Sequence, residues 1–179
     1  DILTTSLTED EVLETYFVYD NRGLLRYVLP PELSALITRS SIPTPEQLSQ
    51  WAFIYDYDIY GRLIRKKLPG CDAILYVYDA KDRLVLSQDG NQRNLSPNQW
   101  SYYLYDFQNR IIENGEILLS GRPSHDVLQY NAGRSNSFLP GESKTVLTYN
   151  LYDHYAGNTQ ITPHPFSGVN GFETVPHTF

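Results

Sequence analysis

The sequence predicts a mainly β protein: an antiparallel meander of β-hairpins forming a curved open sheet, with a short helical insertion near 31–51. Three observations predict it. First, an eight-residue phrase recurs as Tyr57-Asp58-Ile59-Tyr60-Gly61-Arg62-Leu63-Ile64, Tyr78-Asp79-Ala80-Lys81-Asp82-Arg83-Leu84-Val85 and Tyr105-Asp106-Phe107-Gln108-Asn109-Arg110-Ile111-Ile112. A looser copy is Tyr19-Asp20-Asn21-Arg22-Gly23-Leu24-Leu25, and a fifth, Tyr152 to Asn158, lacks the Arg-aliphatic tail. Internal repetition of this kind decides architecture. Second, strand formers precede each Asp: Phe17-Val18-Tyr19, Tyr76-Val77-Tyr78 and Tyr103-Leu104-Tyr105. Third, each phrase carries turn chemistry. The Asp carboxylate accepts a backbone N–H two residues on. Three positions after it stands Gly23, Gly61, Asp82 or Asn109, the types that tolerate positive φ in a type I turn followed by a bulge. A lone hairpin is marginal in water, so several must pair side by side.

Taken in order, residues 1–15 form an acidic lead-in, with Thr8-Glu9-Asp10-Glu11 either a capping box or part of an extended approach. Residues 16–120 form the hairpin sheet. Strands are expected near 15–20 and 24–29, then 52–57, 62–68, 73–79 and 83–88, then Trp100 to Tyr105 and Arg110 to Leu119. Pro30-Pro31 stops the first hairpin and opens the insertion. Glu32 to Ile37 has helical spacing, and Thr44-Pro45-Glu46-Gln47 reads as an N-cap, Pro at N1 and a capping box, which would turn Leu48 and Trp51 toward the sheet. Leu68-Pro69-Gly70 and Asp89-Gly90 are turns, and Asn94 to Asn98 is loop. Residues 121–179 diverge: Asp126 to Tyr130 is a short helix turn or strand, Lys144 to Asp153 a strand pairing back on the sheet, and the tail an extended arm or disordered. Parity puts Phe17 with Tyr19, Tyr76 with Tyr78 and Tyr103 with Tyr105 on common faces, suited to aromatic packing across strands.

Composition narrows function. A net charge of −7 argues against binding nucleic acid or an anionic membrane. The basic run Arg62, Arg65, Lys66, Lys67 alternates across two faces and reads as a solvated edge. Cys71 is the single cysteine, so no internal disulfide forms; it is inert, or reactive if exposed. No stretch is long and apolar enough to span a membrane, so no membrane insertion is expected. The sequence opens on Asp1 without a signal peptide, the expectation for a piece of a longer chain whose targeting signal lies elsewhere.

No constellation of catalytic residues stands out, and no enzymatic activity, cofactor or metal is expected. His125, His154, His164 and His177 match no zinc spacing. Glu113 with Glu116 is a remote glycosidase pair, since two carboxylates must lie about 5–10 Å apart. The 15 Tyr suit either a sheet core or a carbohydrate platform. A glycan- or protein-binding module using the insertion or an exposed Tyr face is therefore the alternative function, with Trp51 and Tyr60 as its candidate surface.

The repeated phrase resembles the YD repeat of bacterial Rhs and wall-associated proteins, related to the repeats of animal teneurins. Tyr27-Val28-Leu29-Pro30-Pro31, Lys66-Lys67-Leu68-Pro69-Gly70 and Arg83 to Gly90 support the resemblance, which covers residues 16–120. The repeat residues it marks are Tyr19, Asp20, Gly23, Tyr57, Asp58, Gly61, Arg62, Tyr78, Asp79, Arg83, Tyr105, Asp106 and Arg110. The resemblance implies a structural segment of a large secreted or surface-displayed protein, in which many such hairpins build a shell that can enclose a toxin or other cargo. It implies further repeats of the same parent chain as partners. Open strand edges then favour an edge-strand homodimer of the fragment.

Overall fold

In the computed structural model, the described residues are 13–37, 41–95, 98–119, 121–135, 138 and 143–152. The fold is mainly β, a nine-stranded antiparallel meander whose sheet does not close. The strands are β1 (Tyr16–Tyr19), β2 (Leu25–Leu29), β3 (Phe53–Tyr57), β4 (Leu63–Lys67), β5 (Ile74–Tyr78), β6 (Leu84–Gln88), β7 (Asn98–Tyr105), β8 (Ile111–Leu119) and β9 (Lys144–Tyr149), each beside its chain neighbours. Among the described residues four short helices accompany them: α1 (Pro31–Ser34), α2 (Pro45–Trp51), α3 (Gly90–Asn94) and α4 (His125–Ala132). The Thr8–Glu11 segment, the residues after Tyr152 and three of the four histidines lie outside the described residues.

Two kinds of junction alternate along the sheet. Within hairpins the ladders are long, from Tyr16–Leu29 to Tyr19–Leu25 in the first and from Asn98–Leu119 to Tyr105–Ile111 in the fourth. Between hairpins they are short. Tyr27–Ile54 and Val28–Phe53 join the first to the second, Arg65–Leu75 and Lys66–Ile74 the second to the third, and Leu86–Tyr102 and Ser87–Ser101 the third to the fourth. Each hairpin also slips register once, at Val18/Tyr19, Asp56/Tyr57, Val77/Tyr78 and Leu104/Tyr105. The unopposed residue falls on the returning strand: Arg26, Ile64, Val85 and Ile112. The turns have positive φ where the sequence placed it, at Gly23 (77°), Gly61 (80°), Asp82 (60°) and Asn109 (63°).

Register also locates the core. Val77, Leu86, Tyr102 and Gly115 form one row, and Trp100 faces Ile117 in the next. All are buried, and α4 lays Leu128 and Ala132 over them. Tyr76 and Tyr103, the expected aromatic packers, fall on the other face and are half-buried. The segment at Asp126 to Tyr130 proves helical, with the Ser124 hydroxyl capping Val127 N–H. Side chains of α4 also satisfy the β5 main chain where the β4–β5 ladder has ended. Gln129 accepts from Tyr78 N–H (3.0 Å) and donates to its carbonyl (2.9 Å), while His125 Nε2 meets the Tyr76 carbonyl at 2.8 Å.

The insertion builds a second cluster of Leu29, Leu33 and Ala52, with Tyr27, Ile37, Leu48 and Ile54 against it. The predicted capping box is present: Thr44 Oγ1 accepts from Gln47 N–H, and Gln47 Oε1 from Thr44 N–H (2.8 Å). Three expectations need correction. Leu48 reaches the cluster but Trp51 does not; it ends the helix 42% exposed, because the chain turns into extended Ala52, which is itself buried. Asp89-Gly90 is not a simple turn, since Asp89 caps α3 in a capping box with Gln92. The basic run is no edge, since β4 is fourth of nine strands. Its charges are met by neighbours: Arg65 and, from β2, Arg26 flank Asp56 at 2.7 and 2.6 Å, and Lys67 donates to the Ser49 and Cys71 carbonyls.

The sheet gains β9 through a close approach. A Cβ on Gly115 would lie 2.1 Å from the Thr145 carbonyl oxygen on β9 and 3.0 Å from the Tyr102 ring. Gly115→Ala should therefore push β9 off β8 and cost about 1–3 kcal/mol in urea unfolding. Hydrogen exchange should show the loss concentrated in the amides of Lys144–Tyr149.

Candidate functional site: the Tyr-Asp-Arg clasp between hairpins

The repeated phrase folds into one geometry four times. One carboxylate oxygen of each Asp accepts the N–H two residues on and the N–H four residues on. The distances are 2.9 and 2.9 Å at Asp20, 2.9 and 3.0 Å at Asp58, 2.8 and 3.0 Å at Asp79, and 2.8 and 2.9 Å at Asp106. In the three copies with an Arg, the second oxygen accepts from that guanidinium: Arg62 to Asp58 (2.6 Å), Arg83 to Asp79 (2.6 Å) and Arg110 to Asp106 (2.7 Å). Asp79 is completely buried by this arrangement. A carboxylate engaged on both oxygens by its own turn acts as the template of that turn.

The same Arg reaches forward to the next hairpin. Arg62 stacks on the Tyr78 ring (5.1 Å to the centroid), Arg83 on Tyr105 (4.8 Å) and Arg110 on Tyr152 (4.3 Å). Each of those Tyr hydroxyls donates to the carbonyl of the residue just after that Arg: Tyr78 to Leu63 (2.8 Å), Tyr105 to Leu84 (2.7 Å) and Tyr152 to Ile111 (3.0 Å). Arg62 also donates to the Asp82 carboxylate (2.7 Å) and Arg83 to the Asn109 carbonyl oxygen (3.1 Å). One guanidinium thus binds its own turn, the next aromatic ring and, at two junctions, the next turn, a combination only its planar multi-donor shape permits. The clasp stands where the ladders between hairpins are short, so side chains take over from the main chain.

Junction one shows what the Arg contributes, because the first copy has Leu24 in its place. Leu24 lies against Gly61, Arg22 donates to the Asp58 carbonyl (2.9 Å), and no guanidinium lies over Tyr57 among the described residues. The residue at positive φ follows its neighbour: Gly61 beside Leu24, Asp82 beside Arg62, Asn109 beside Arg83.

All thirteen repeat residues therefore sit in turns or clasps. Tyr19, Asp20, Gly23, Tyr57 and Gly61 belong to turns without joining a clasp, and Asp58, Arg62, Tyr78, Asp79, Arg83, Tyr105, Asp106 and Arg110 take part in one. The forward reach of the Arg and the acceptor role of Asp82 and Asn109 are not visible in a single copy; aligning the copies shows Asp and Asn only behind an Arg-bearing repeat. Trp51 and Tyr60 are not brought together. They bracket β3, whose five residues at about 3.3 Å each hold them apart, and Tyr60 (74% exposed) lies beside Arg62. Glu113 and Glu116 point to opposite faces of β8, and Glu113 takes hydrogen bonds from Tyr102 (2.7 Å) and Lys144 (2.5 Å). Among the described residues no three His, Cys, Asp or Glu gather as metal ligands, and Cys71 is exposed.

Burial raises the Tyr78 and Tyr105 hydroxyls above their ordinary value; for Tyr105 the nearby Arg83 opposes this without reversing it. Asp20 is lowered from 3.8, chiefly by the Leu24 amide. At Asp106 desolvation pushes upward, but the Arg110 amide and guanidinium outweigh it, so it too is lowered.

No family model matches the chain, and no curated protein matches it. Among solved structures, a chain of the "Crystal Structure of TcdB2-TccC3-TEV" is similar at 16% identity and a TM-score of 0.40. The similarity covers 60% of this chain and 5% of that one. So slight a likeness does not assign a family.

Two outcomes are expected. Asp79→Ala leaves Arg83 without its buried partner and should cost about 3–5 kcal/mol in denaturant unfolding, whereas Asp20→Ala, in the copy without the clasp Arg, should cost less. Because Asp20 and Asp106 are lowered, their contribution is fully present above 3.8 and is lost as pH falls below it. The stability difference between the natural chain and Asp106→Asn should accordingly shrink with acidification through that range, as read by thermal melts.

Proposed function

We propose that this chain is a structural repeat segment of a large secreted or surface-displayed protein of the Rhs/YD-repeat kind, where it forms part of a β-sheet shell. The observation that carries the reading is the clasp. The carboxylate that follows each repeat Tyr is spent on shaping its own turn, and Arg62, Arg83 and Arg110 join that turn to the next hairpin. Such investment serves an array in which each unit contacts only the next. The resemblance of residues 16–120 to YD repeats points the same way, as do β1 and β9, which among the described residues are each paired on one side and suit continuation by further repeats of a parent chain. No helix among the described residues is long and apolar enough to cross a membrane.

Antibodies raised against the exposed turn at Ile59-Tyr60 test this in the producing cells. The expected product is a polypeptide far larger than 20.6 kDa, found in the medium or labelled on intact cells. A soluble intracellular product of about that mass would overturn the proposal.

A further inference from the structure

We propose that the β2–β3 junction, between the first two hairpins, is the docking site of a helix from a partner protein. That helix carries a glutamine for the Tyr57 main chain and a carboxylate for Arg26 and Arg65. The precedent is α4, one junction further on. There the β4–β5 ladder consists of Arg65–Leu75 and Lys66–Ile74, and β5 continues past it to Tyr78. His125 and Gln129 stand four residues apart on one side of α4. They take up the Tyr76 carbonyl and the Tyr78 N–H and carbonyl. The β2–β3 ladder stops at the same place in the repeat, with Tyr27–Ile54 and Val28–Phe53, and β3 continues to Tyr57. Tyr55 and Tyr57 precede Asp58 by the same spacing as Tyr76 and Tyr78 precede Asp79. Asp58 N–H turns to the Arg62 carbonyl as Asp79 N–H turns to the Arg83 carbonyl, so strand alternation aims the Tyr57 N–H and carbonyl at the β2 side. Among the described residues no side chain meets them. This junction therefore has neither the Arg–Tyr clasp nor a helix over its splayed end.

The surface under the two places differs, and the difference names the partner. α4 sets Leu128 against Val77 and Leu86, which face each other across β5 and β6. The matching pair one hairpin earlier is Asp56 and Arg65. Arg26 and Arg65 both donate to Asp56, so two guanidiniums share one carboxylate and one positive charge is left over. Each keeps N–H donors beyond the one it uses, and the two side chains are 29% and 39% exposed. A helix seated here needs a carboxylate where α4 has Leu128 and a carboxamide where α4 has Gln129. Successive junctions lie two strands apart, about 10 Å. Packed helices have axes about 8–10 Å apart, so the partner fits alongside α4. The α4 of a second copy does not supply it, being seated on its own β5 through Gln129 and Leu128. The site is interior to the sheet and independent of what lies beyond either edge.

The probe is a stapled helical peptide with the sequence Ser124 to Arg134 carrying Leu128→Glu; the staple is needed because so short a peptide is not helical in water. Before it is added, the Tyr57 amide should exchange with deuterium faster than the Tyr78 amide, and equal protection overturns the proposal. Titrated into the isotope-labelled full chain, the peptide should give saturable amide shifts at Tyr55 and Tyr57. Keeping the natural Leu128, or adding Gln129→Leu, should each weaken binding about tenfold. Arg65→Gln in the chain should erase the peptide's preference for Glu over Leu, whereas Phe107→Ala, on a distant exposed turn, should leave binding unchanged. No shift at millimolar peptide, equal binding with and without Gln129, a preference that survives Arg65→Gln, or shifts only at Tyr76 and Tyr78 through displacement of α4 would each overturn the proposal.

Discussion

A carboxylate with no exposure to water holds this sheet in shape. Removing an ion from water costs several kcal/mol unless its lone pairs are answered, and at Asp79 they are, by two amides and the Arg83 guanidinium. The turn that wraps the carboxylate puts Asp82 at positive φ, a conformation its side chain type tolerates. Because the Asp fixes the Arg, the Arg presents its flat face in one direction only, toward the ring of the next hairpin. Turn geometry and hairpin-to-hairpin geometry are consequently one constraint.

Cohesion is divided between two chemistries. Within a hairpin, long ladders of peptide hydrogen bonds do the joining; between hairpins two residue pairs suffice, and the Arg–Tyr clasp closes the splayed end. Where the β4–β5 ladder stops, α4 fills the gap with the Gln129 amide, which offers one donor and one acceptor much as a strand would. The apolar side of the sheet is covered in two patches, by α1 and α2 at one end and α4 at the other. Register carries Ile54, Lys67, Arg65, Leu75 and Val77 onto that one face, so a charged stretch containing Arg65, Asp56 and Lys67 separates the patches.

Much of the fold is legible in the residues because turn chemistry is local. The four Asp turns, their positive-φ positions, the bulges and the Thr44–Gln47 capping box all follow from side chains within four positions of one another. What was missed depends on distance or on order. That β4 is interior follows from strands far along the chain, so its basic run looks like an edge when taken alone. The fate of Trp51 depends on the direction in which Ala52 leaves the helix. The forward contacts of Arg62 and Arg83 span 16 to 26 residues and arise only once the hairpins stand side by side. The capping pair Asp89–Gln92 was legible in principle and was masked by the adjacent Gly90, which reads as a turn.

The single unopposed residue on the returning strand of every hairpin, Arg26, Ile64, Val85 and Ile112, has a geometric corollary. A bulge adds right-handed twist at the place where it occurs. One in each unit, always at the same spot, means that every unit rotates its successor in the same sense. Lengthening such a chain would extend a screw, with its pitch set by one amino acid per unit.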